Sequence, residues 1–537
     1  MGKRQKNIRL PAAPASRGAA ATAWLDHQWP WVVAALVLVY AVFAALAFDP
    51  KPFVGGDNAV YVALSRALAS GRGLAELWTP QARPHTQYPF GFPLLLAPLS
   101  LLHASYPWYK LVPLLCGAAS LLLAAALLKK PGAQLMPAMT LLLLAVNPAL
   151  IEYSHWVLSE LPFLACTLLV FLSLKKWQEG NKAGWFALAI AAAVFANYIR
   201  STGIALFAGI FIYLLAARKY RWAAIFIGGC ILLTIPWSLR NSHYGMTGGY
   251  LDQLLMRDPY QPELGRIGLS ELLARLWQNL DLYGTRIVPR LLFPAIDQWG
   301  LGGAEWLFTI LVSLPLLAGL VWRLARAPRS WDWYVACYLG MALLWPVAWT
   351  DVRFILPLLP FLLLYLLQAY CAVVGRILPR IRAGALAALA LLLALATVTP
   401  SIATWGDTLA MQSAYRGGDH LAGYDPAWRS FFEAAQWAAQ HTPPQSVIVS
   451  RKQALFYLAS GRRAIGYPFT ANRDSVVAAI VPADYVMIEP VSGTTQRYLI
   501  PAVEPLLNKS FTVVYQGGSP PTFVLQVNKE KANAKDK

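Results

Sequence analysis

"FVGGDNAVYVALSRALASGRG", Phe53–Gly73, decides how the rest of the chain is read. It follows directly on the first long apolar run and carries a carboxylate, Asp57, behind two glycines, Gly55 and Gly56. After it Val60, Leu64, Ala67 and Leu68 recur at helical spacing, which predicts a helix opening near Asp57. Two readings of the carboxylate stand side by side. Asp is favoured at a helix N-cap, and a cap needs no further function. Glycines also let backbone and ligand approach closely, which makes Asp57 a candidate reacting group.

Outward from this stretch, the composition sets the class. Of 537 residues, 57% are hydrophobic and only 13% charged, with a mean hydropathy of +0.47. An ordinary soluble domain carries about 25% charged residues. Apolar runs approaching 18 residues recur throughout, so the chain reads as a polytopic α-helical membrane protein. The expected spans are 29–48, 109–128, 133–149, 157–174, 183–197, 202–217, 222–238, 304–322, 331–348, 354–372 and 383–399, about eleven in all.

The net charge of +19 lies largely in short loops, which excludes a nucleic-acid reading. Lys129 and Lys130, then Lys175, Lys176 and Lys182, then Arg218, Lys219 and Arg221 occupy alternate loops. Arg323, Arg326 and Arg329 follow, then Arg376, Arg380 and Arg382. With Lys3, Arg4, Lys6 and Arg9 they mark the cytoplasmic side of the membrane, N-terminus inside and C-terminus outside. The first apolar run lacks a small-residue cleavage site, so residues 1–28 are expected to stay as a cytoplasmic tail. Cys116, Cys166, Cys230, Cys337 and Cys371 sit in or beside apolar runs with no CxxC pair, which argues against a disulfide framework or a thiolate metal site.

The long polar segments all fall on the outer side. The expected organisation is a membrane module over 29–400 with outer loops 49–108 and 239–303, an extracytoplasmic α/β domain over 401–528, and a disordered basic tail over 529–537. Transporters and channels seldom put so much mass on one face; an enzyme of the outer leaflet would. The apolar stretch 89–103 is too short to span and is expected as an interfacial helix, so the first outer loop holds two helices. From Tyr424 the β-branched and aromatic stretches around Val447, Tyr485, Phe511 and Phe523 predict strands separated by helices. No glycine-rich phosphate loop follows any of them, so no nucleotide is expected.

Other ionisable residues gather on the same face. Glu160, in "SHWVLSELPFLAC", heads the fourth span, where a carboxylate either suits the helix dipole or does chemistry. Glu152 and His155 just before it read first as polar loop residues. Arg200, Arg240 and Arg353 stand at outer ends of spans, against the positive-inside trend. Each could snorkel to headgroups; together with Asp57 and Glu160 they suit an anionic substrate such as a lipid phosphate.

"GGDNAVYVALSRALASGRG", "YPFGFPLLLAPL", "VLSELPF" and "DVRFILPLLPF", in that order, resemble the GT-C membrane glycosyltransferases, nearest the protein O-mannosyltransferase and aminoarabinose transferase superfamily. The resemblance covers nearly the whole chain. It implies a GT-C fold and transfer of a sugar from a polyprenyl-phosphate donor to a lipid, glycan or protein acceptor, with inversion. It implies Asp57 as the catalytic carboxylate, expected to serve as general base, Glu160 as the second catalytic carboxylate, and Tyr61 near the donor. Tyr88, Arg200, Arg240, Arg353 and His155 complete the expected substrate- and phosphate-binding set. Three places depart from the pattern, one of them Pro89-Phe90 where the relatives have a Pro-Pro pair. Asn58 stands where many relatives have a second acid, and Gln87-Tyr88 where some have an acid and a lysine. No cofactor is therefore assigned, and a divalent metal is left open.

A flippase or transporter for a lipid-linked glycan would also need outer arginines and an apolar groove. It would not need a glycine-flanked carboxylate on a surface helix, and no inverted repeat is visible. An oligosaccharide ligase of the same broad type stays open beside it.

Overall fold

A computed structural model of the chain describes residues 17–245, 250–298, 300, 303–379 and 381–530. The basic residues Lys3 to Arg9, Arg380, and 531–537 of the expected tail lie outside the described residues.

Helix α1 (Arg17–Leu46) leads into the first loop, where α2 (Asp57–Ala69) and α3 (Gly91–Leu101) pack on each other as the sequence predicts. Then come α4 (Tyr106–Leu128), α5 (Leu135–Ala145), the short α6 (Pro148–Tyr153), α7 (Glu160–Gly180), α8 (Ala183–Ile199), α9 (Ser201–Ala216) and α10 (Tyr220–His243). A second loop carries α11 (Leu269–Leu282). It is followed by α12 (Glu305–Arg326), α13 (Ser330–Leu344), α14 (Val352–Ile377) and α15 (Arg382–Arg416). Helix lies over every expected span. Among the described residues, α1, α4, α10, α12, α14 and most of α15 are long and apolar enough to cross a membrane, and α5, α8 and α9 are apolar but shorter.

The short ones have local causes. The expected span 133–149 breaks at Asn147 because a residue before proline is driven out of the α region. Asn147 turns extended, and its side chain caps the next helix by accepting from Leu150 N at 3.2 Å. Helix α13 stops at Leu344 for the same reason, with extended Trp345 preceding Pro346. Helix α15 does the reverse. Expected to end at 399, it runs unbroken through Pro400 to Arg416, so the expected domain boundary near 400 falls inside one helix about 50 Å long.

The C-terminal domain is built on a five-stranded sheet: β1 (Val447–Val449), β2 (Arg463–Ile465), β3 (Tyr485–Ile488), β4 (Phe511–Gly517) and β5 (Thr522–Val527), in the order β2-β1-β3-β5-β4. The β2-β1-β3 part is parallel and the β3-β5-β4 part antiparallel. Helices α16 (Pro426–His441), α17 (Gln453–Ser460) and α18 (Arg473–Ile480) complete it. This domain shares a core with the first loop. Ala59, Ala63 and Leu64 of α2, with Leu74 and Trp78, are buried in one cluster with Phe431, Phe432, Leu455 and Phe456. Backbone joins them as well, Ala464 N donating to Trp78 O at 2.7 Å.

Candidate active site

Helix α2 begins on a bend that favours glycine. Gly56 has φ +97° and makes no side-chain cap, a conformation that side chains with a Cβ rarely adopt. Asp57 is therefore the first helical residue rather than the cap, and its carboxylate is spent elsewhere. Oδ1 accepts from the Tyr88 hydroxyl at 3.1 Å and Oδ2 from Arg353 Nη2 at 2.9 Å. The capping reading of Asp57 fails on this geometry.

Arg353 reaches Asp57 from the start of α14. Asp351 caps that helix by accepting from Arg353 N at 3.0 Å, which directs the arginine inward. The same guanidinium donates through Nε to Glu160 Oε1 at 3.1 Å. Glu160 Oε1 also accepts from Arg200 Nη1 at 2.5 Å, and Arg200 bonds Ser159 Oγ at 3.2 Å. Arg200 can reach because it sits in an extended break between α8 and α9. Close approach makes this packing strict: a Cβ on Gly91 would lie 2.6 Å from the Tyr198 carbonyl, so α3 rests directly on the end of α8. Asp57, Arg353, Glu160 and Arg200 thus form one alternating chain of charge.

A cavity of about 880 Å³ opens over this chain, lined by Asp57, Tyr61, Tyr88, Arg200 and Arg353 among others. Tyr61 bonds Ser159 Oγ at 3.2 Å, and its ring lies 5.2 Å from that of Tyr88. Burial, with Asp57 beside them, holds both phenols above their usual range, so each remains a neutral hydroxyl donor. Tyr88 is itself positioned by His85. A backbone N–H can only donate, so His85 Nε2 accepts from Tyr88 N at 2.9 Å. The ring proton is then on Nδ1, 2.9 Å from Glu76 Oε1.

The other expected residues are placed differently. Glu160 is about 1% exposed and does not line the cavity; it stands behind the two arginines. Arg240 does not line it either. Its Nη1 donates to His85 O at 2.8 Å and to Asn241 Oδ1 at 2.9 Å, and it stacks on Trp237. It braces the backbone of the first loop, because α10 ends beside that loop rather than under the cavity. His155 is not on a wet loop but buried, on the wall of a separate cavity of about 680 Å³ that Glu152 also lines. Burial, with Lys110 nearby, pushes its imidazole down to about 3, which makes it a neutral ring.

Among the described residues no three His, Cys, Asp or Glu side chains converge as a metal-ligand set. Asn58 turns away to Tyr106, Nδ2 to OH 2.6 Å, and the carboxylates of Asp57 and Glu160 are already held by arginines. Among the described residues, the groups around Asp57 and Glu160 do not fit a divalent metal.

Several lining residues were missed from the sequence, among them Glu76, His85 and two cations, Arg451 and Lys452, from the loop between β1 and α17. The available signal for the two cations was their position, since loops at the carboxyl ends of parallel strands are where α/β sheets bind ligands.

The helical module, the first-loop pair and the small sheet domain together make this a GT-C membrane fold. No protein-family model and no curated protein matches the chain in sequence. Solved structures do match. ArnT from Cupriavidus metallidurans bound to undecaprenyl phosphate superposes with a TM-score of 0.53 at 17% identity, over 94% of this chain and 98% of that one. The same protein in the apo state gives 0.48 at 18% identity, over 95% and 99%. The bound form carries the likeness, and what it establishes is the shared fold.

Proposed function

We propose that the chain is a membrane glycosyltransferase that moves a sugar from a polyprenyl-phosphate donor to an acceptor hydroxyl. The observation that carries this reading is Asp57: a carboxylate with no capping duty, facing a large cavity, oriented by Tyr88 and Arg353. The likeness to an ArnT structure bound to undecaprenyl phosphate supports the donor class. A sugar joined to phosphate through its anomeric carbon has a good leaving group in place. What is needed is a base for the acceptor and positive charge for the phosphate. The acceptor oxygen attacks the anomeric carbon and its proton passes to Asp57. The carbon–oxygen bond to phosphate breaks with its electron pair on the phosphate, and one such displacement inverts the anomer. Tyr88 and Arg353 orient the base; Glu160 acts through Arg353 and Arg200 rather than on the substrate. The acceptor face is the outer one, the cytoplasmic side being marked by the basic loops.

The test is transfer by the purified chain in nanodiscs. Given a sugar-loaded polyprenyl phosphate and candidate lipid, glycan and protein acceptors, it should release free polyprenyl phosphate and an acceptor of inverted anomeric configuration. Passage of the intact lipid-linked sugar across the bilayer without cleavage would select the transporter reading instead.

A further inference from the structure

The chain Asp57–Arg353–Glu160–Arg200 contains two carboxylates and two guanidiniums, so it is balanced in itself. Glu76, also on the cavity wall, adds a further carboxylate beside His85. A phosphate entering here meets no net positive charge from the membrane module and the first loop. Arg353, the obvious clamp, is already shared between two carboxylates.

The excess cations come from the C-terminal domain. Arg451 and Lys452 both line the cavity, and neither makes an ion pair among the described residues. Lys452 Nζ donates to Gly55 O at 2.8 Å; an ammonium has three such donors, and among the described residues the other two meet no protein acceptor. Arg451 Nε donates to Thr494 Oγ1 at 3.0 Å, and its guanidinium carbon stands 4.7 Å from the centre of the Phe469 ring, which also lines the cavity. The buried carboxylate of this region, Glu489, is bonded by Thr495 at 2.8 Å and not by either cation. Burial, then Arg451, hold the Lys452 ammonium below its usual range. A bound anion would relieve that penalty.

We infer that Arg451 and Lys452 form the phosphate-receiving subsite of the cavity and hold the phosphate of the polyprenyl donor as it departs. This rests on the donor class proposed above. It makes the C-terminal domain part of the donor site. Lys452 is bonded to Gly55, two residues before the proposed base, so the leaving-group and proton-accepting sites share one short piece of backbone.

The test uses the full chain in nanodiscs with undecaprenyl phosphate as probe. Arg451→Gln/Lys452→Met should weaken its binding by roughly ten- to a hundred-fold, the usual worth of charged hydrogen bonds, with Lys452→Arg close to the parent. In transfer assays the KM for donor should rise and that for acceptor stay. Equal binding by parent and double variant overturns the subsite and leaves the transferase reading intact. A rise in the acceptor KM alone overturns the assignment to the donor. A parent that binds no undecaprenyl phosphate overturns both. Should the double variant fail to fold, acetylation of Lys452 in the parent, read by mass spectrometry, still decides: several-fold protection by undecaprenyl phosphate is expected, and unchanged labelling overturns the proposal.

Discussion

Asp57 and Arg353 stand 296 residues apart in the chain and meet at 2.9 Å. Both are about a quarter exposed, 27% and 23%, so solvent screens the pair in part. Its value is geometric. The start of α2 and the start of α14 are locked into one polar element, and Tyr88 completes the hold on the carboxylate from a third direction. A group fastened this way is aimed at something.

Asp57→Asn should therefore separate chemistry from folding. Asp57 caps nothing, and Arg353 keeps Glu160 as a partner when Asp57 is neutralised, so the melting temperature should stay close to the parent's. Asn cannot take a proton from an acceptor hydroxyl, and turnover should fall by about 10²–10⁴-fold, the worth of a positioned base. Binding of polyprenyl phosphate should hold or tighten, since a competing anion has left Arg353. Full activity in this variant would end the role of Asp57 as base.

Glu160→Ala should behave the opposite way. Glu160 is about 1% exposed and Arg200 about 8%. Removing one partner of a buried pair strands the other charge and costs about 3–5 kcal/mol. Unfolding in detergent should show a much larger loss of stability than for Asp57→Asn. A variant that melts like the parent yet turns over nothing would mean that Glu160 acts on the substrate directly.

Glu489 sets a pH dependence in the C-terminal domain. Burial raises its carboxyl from the ordinary 4.5 to about 7, and one oxygen has no partner among the described residues. Because the folded value lies above the unfolded one, the stabilising contribution is full below about 4.5. It declines as pH rises towards 7, by up to about 1.4 kcal/mol per pH unit, and is constant beyond. Glu489→Gln should remove this slope and melt higher than the parent above pH 7. Parallel melting curves for the two proteins from pH 5 to 8 would contradict the assignment.

The orientation of the domain can be read chemically. Gln445 is exposed on the turn between α16 and β1. The alternation of basic loops predicts this domain to lie outside, so Gln445→Cys should react with an impermeant maleimide on intact spheroplasts. Labelling only after lysis would reverse the topology.

Much of this architecture was legible because it depends on short-range patterns. Hydropathy located the spans, residues near 57–69 and 89–103 declared the first-loop helices, and β-branched runs located the strands. Asp57 and Arg353 were legible as candidates, but their contact was not, since nothing local links positions so far apart. Arg200, Arg240 and Arg353 looked alike in sequence, each a lone arginine at a helix end. What distinguishes them is tertiary: Arg200 lies in an extended break beside Glu160, whereas Arg240 stacks on Trp237 and holds the backbone of His85. His155 was misread for the same reason. A polar residue on a connecting segment looks wet until distant groups, here Phe48 and Lys110, come to lie beside it.

The core shared by α2 and the C-terminal domain bears on how such proteins diversify. Ala59, Ala63 and Leu64 present a face matched to Phe431, Leu455 and Phe456, so the two pieces can only change in concert. A chimaera that borrows the C-terminal half of a relative while retaining its own residues 57–85 would mate two unrelated surfaces. One that carries both segments from the same parent keeps the match, and residues 57–85 and 426–527 are the unit in which a new specificity could be transplanted.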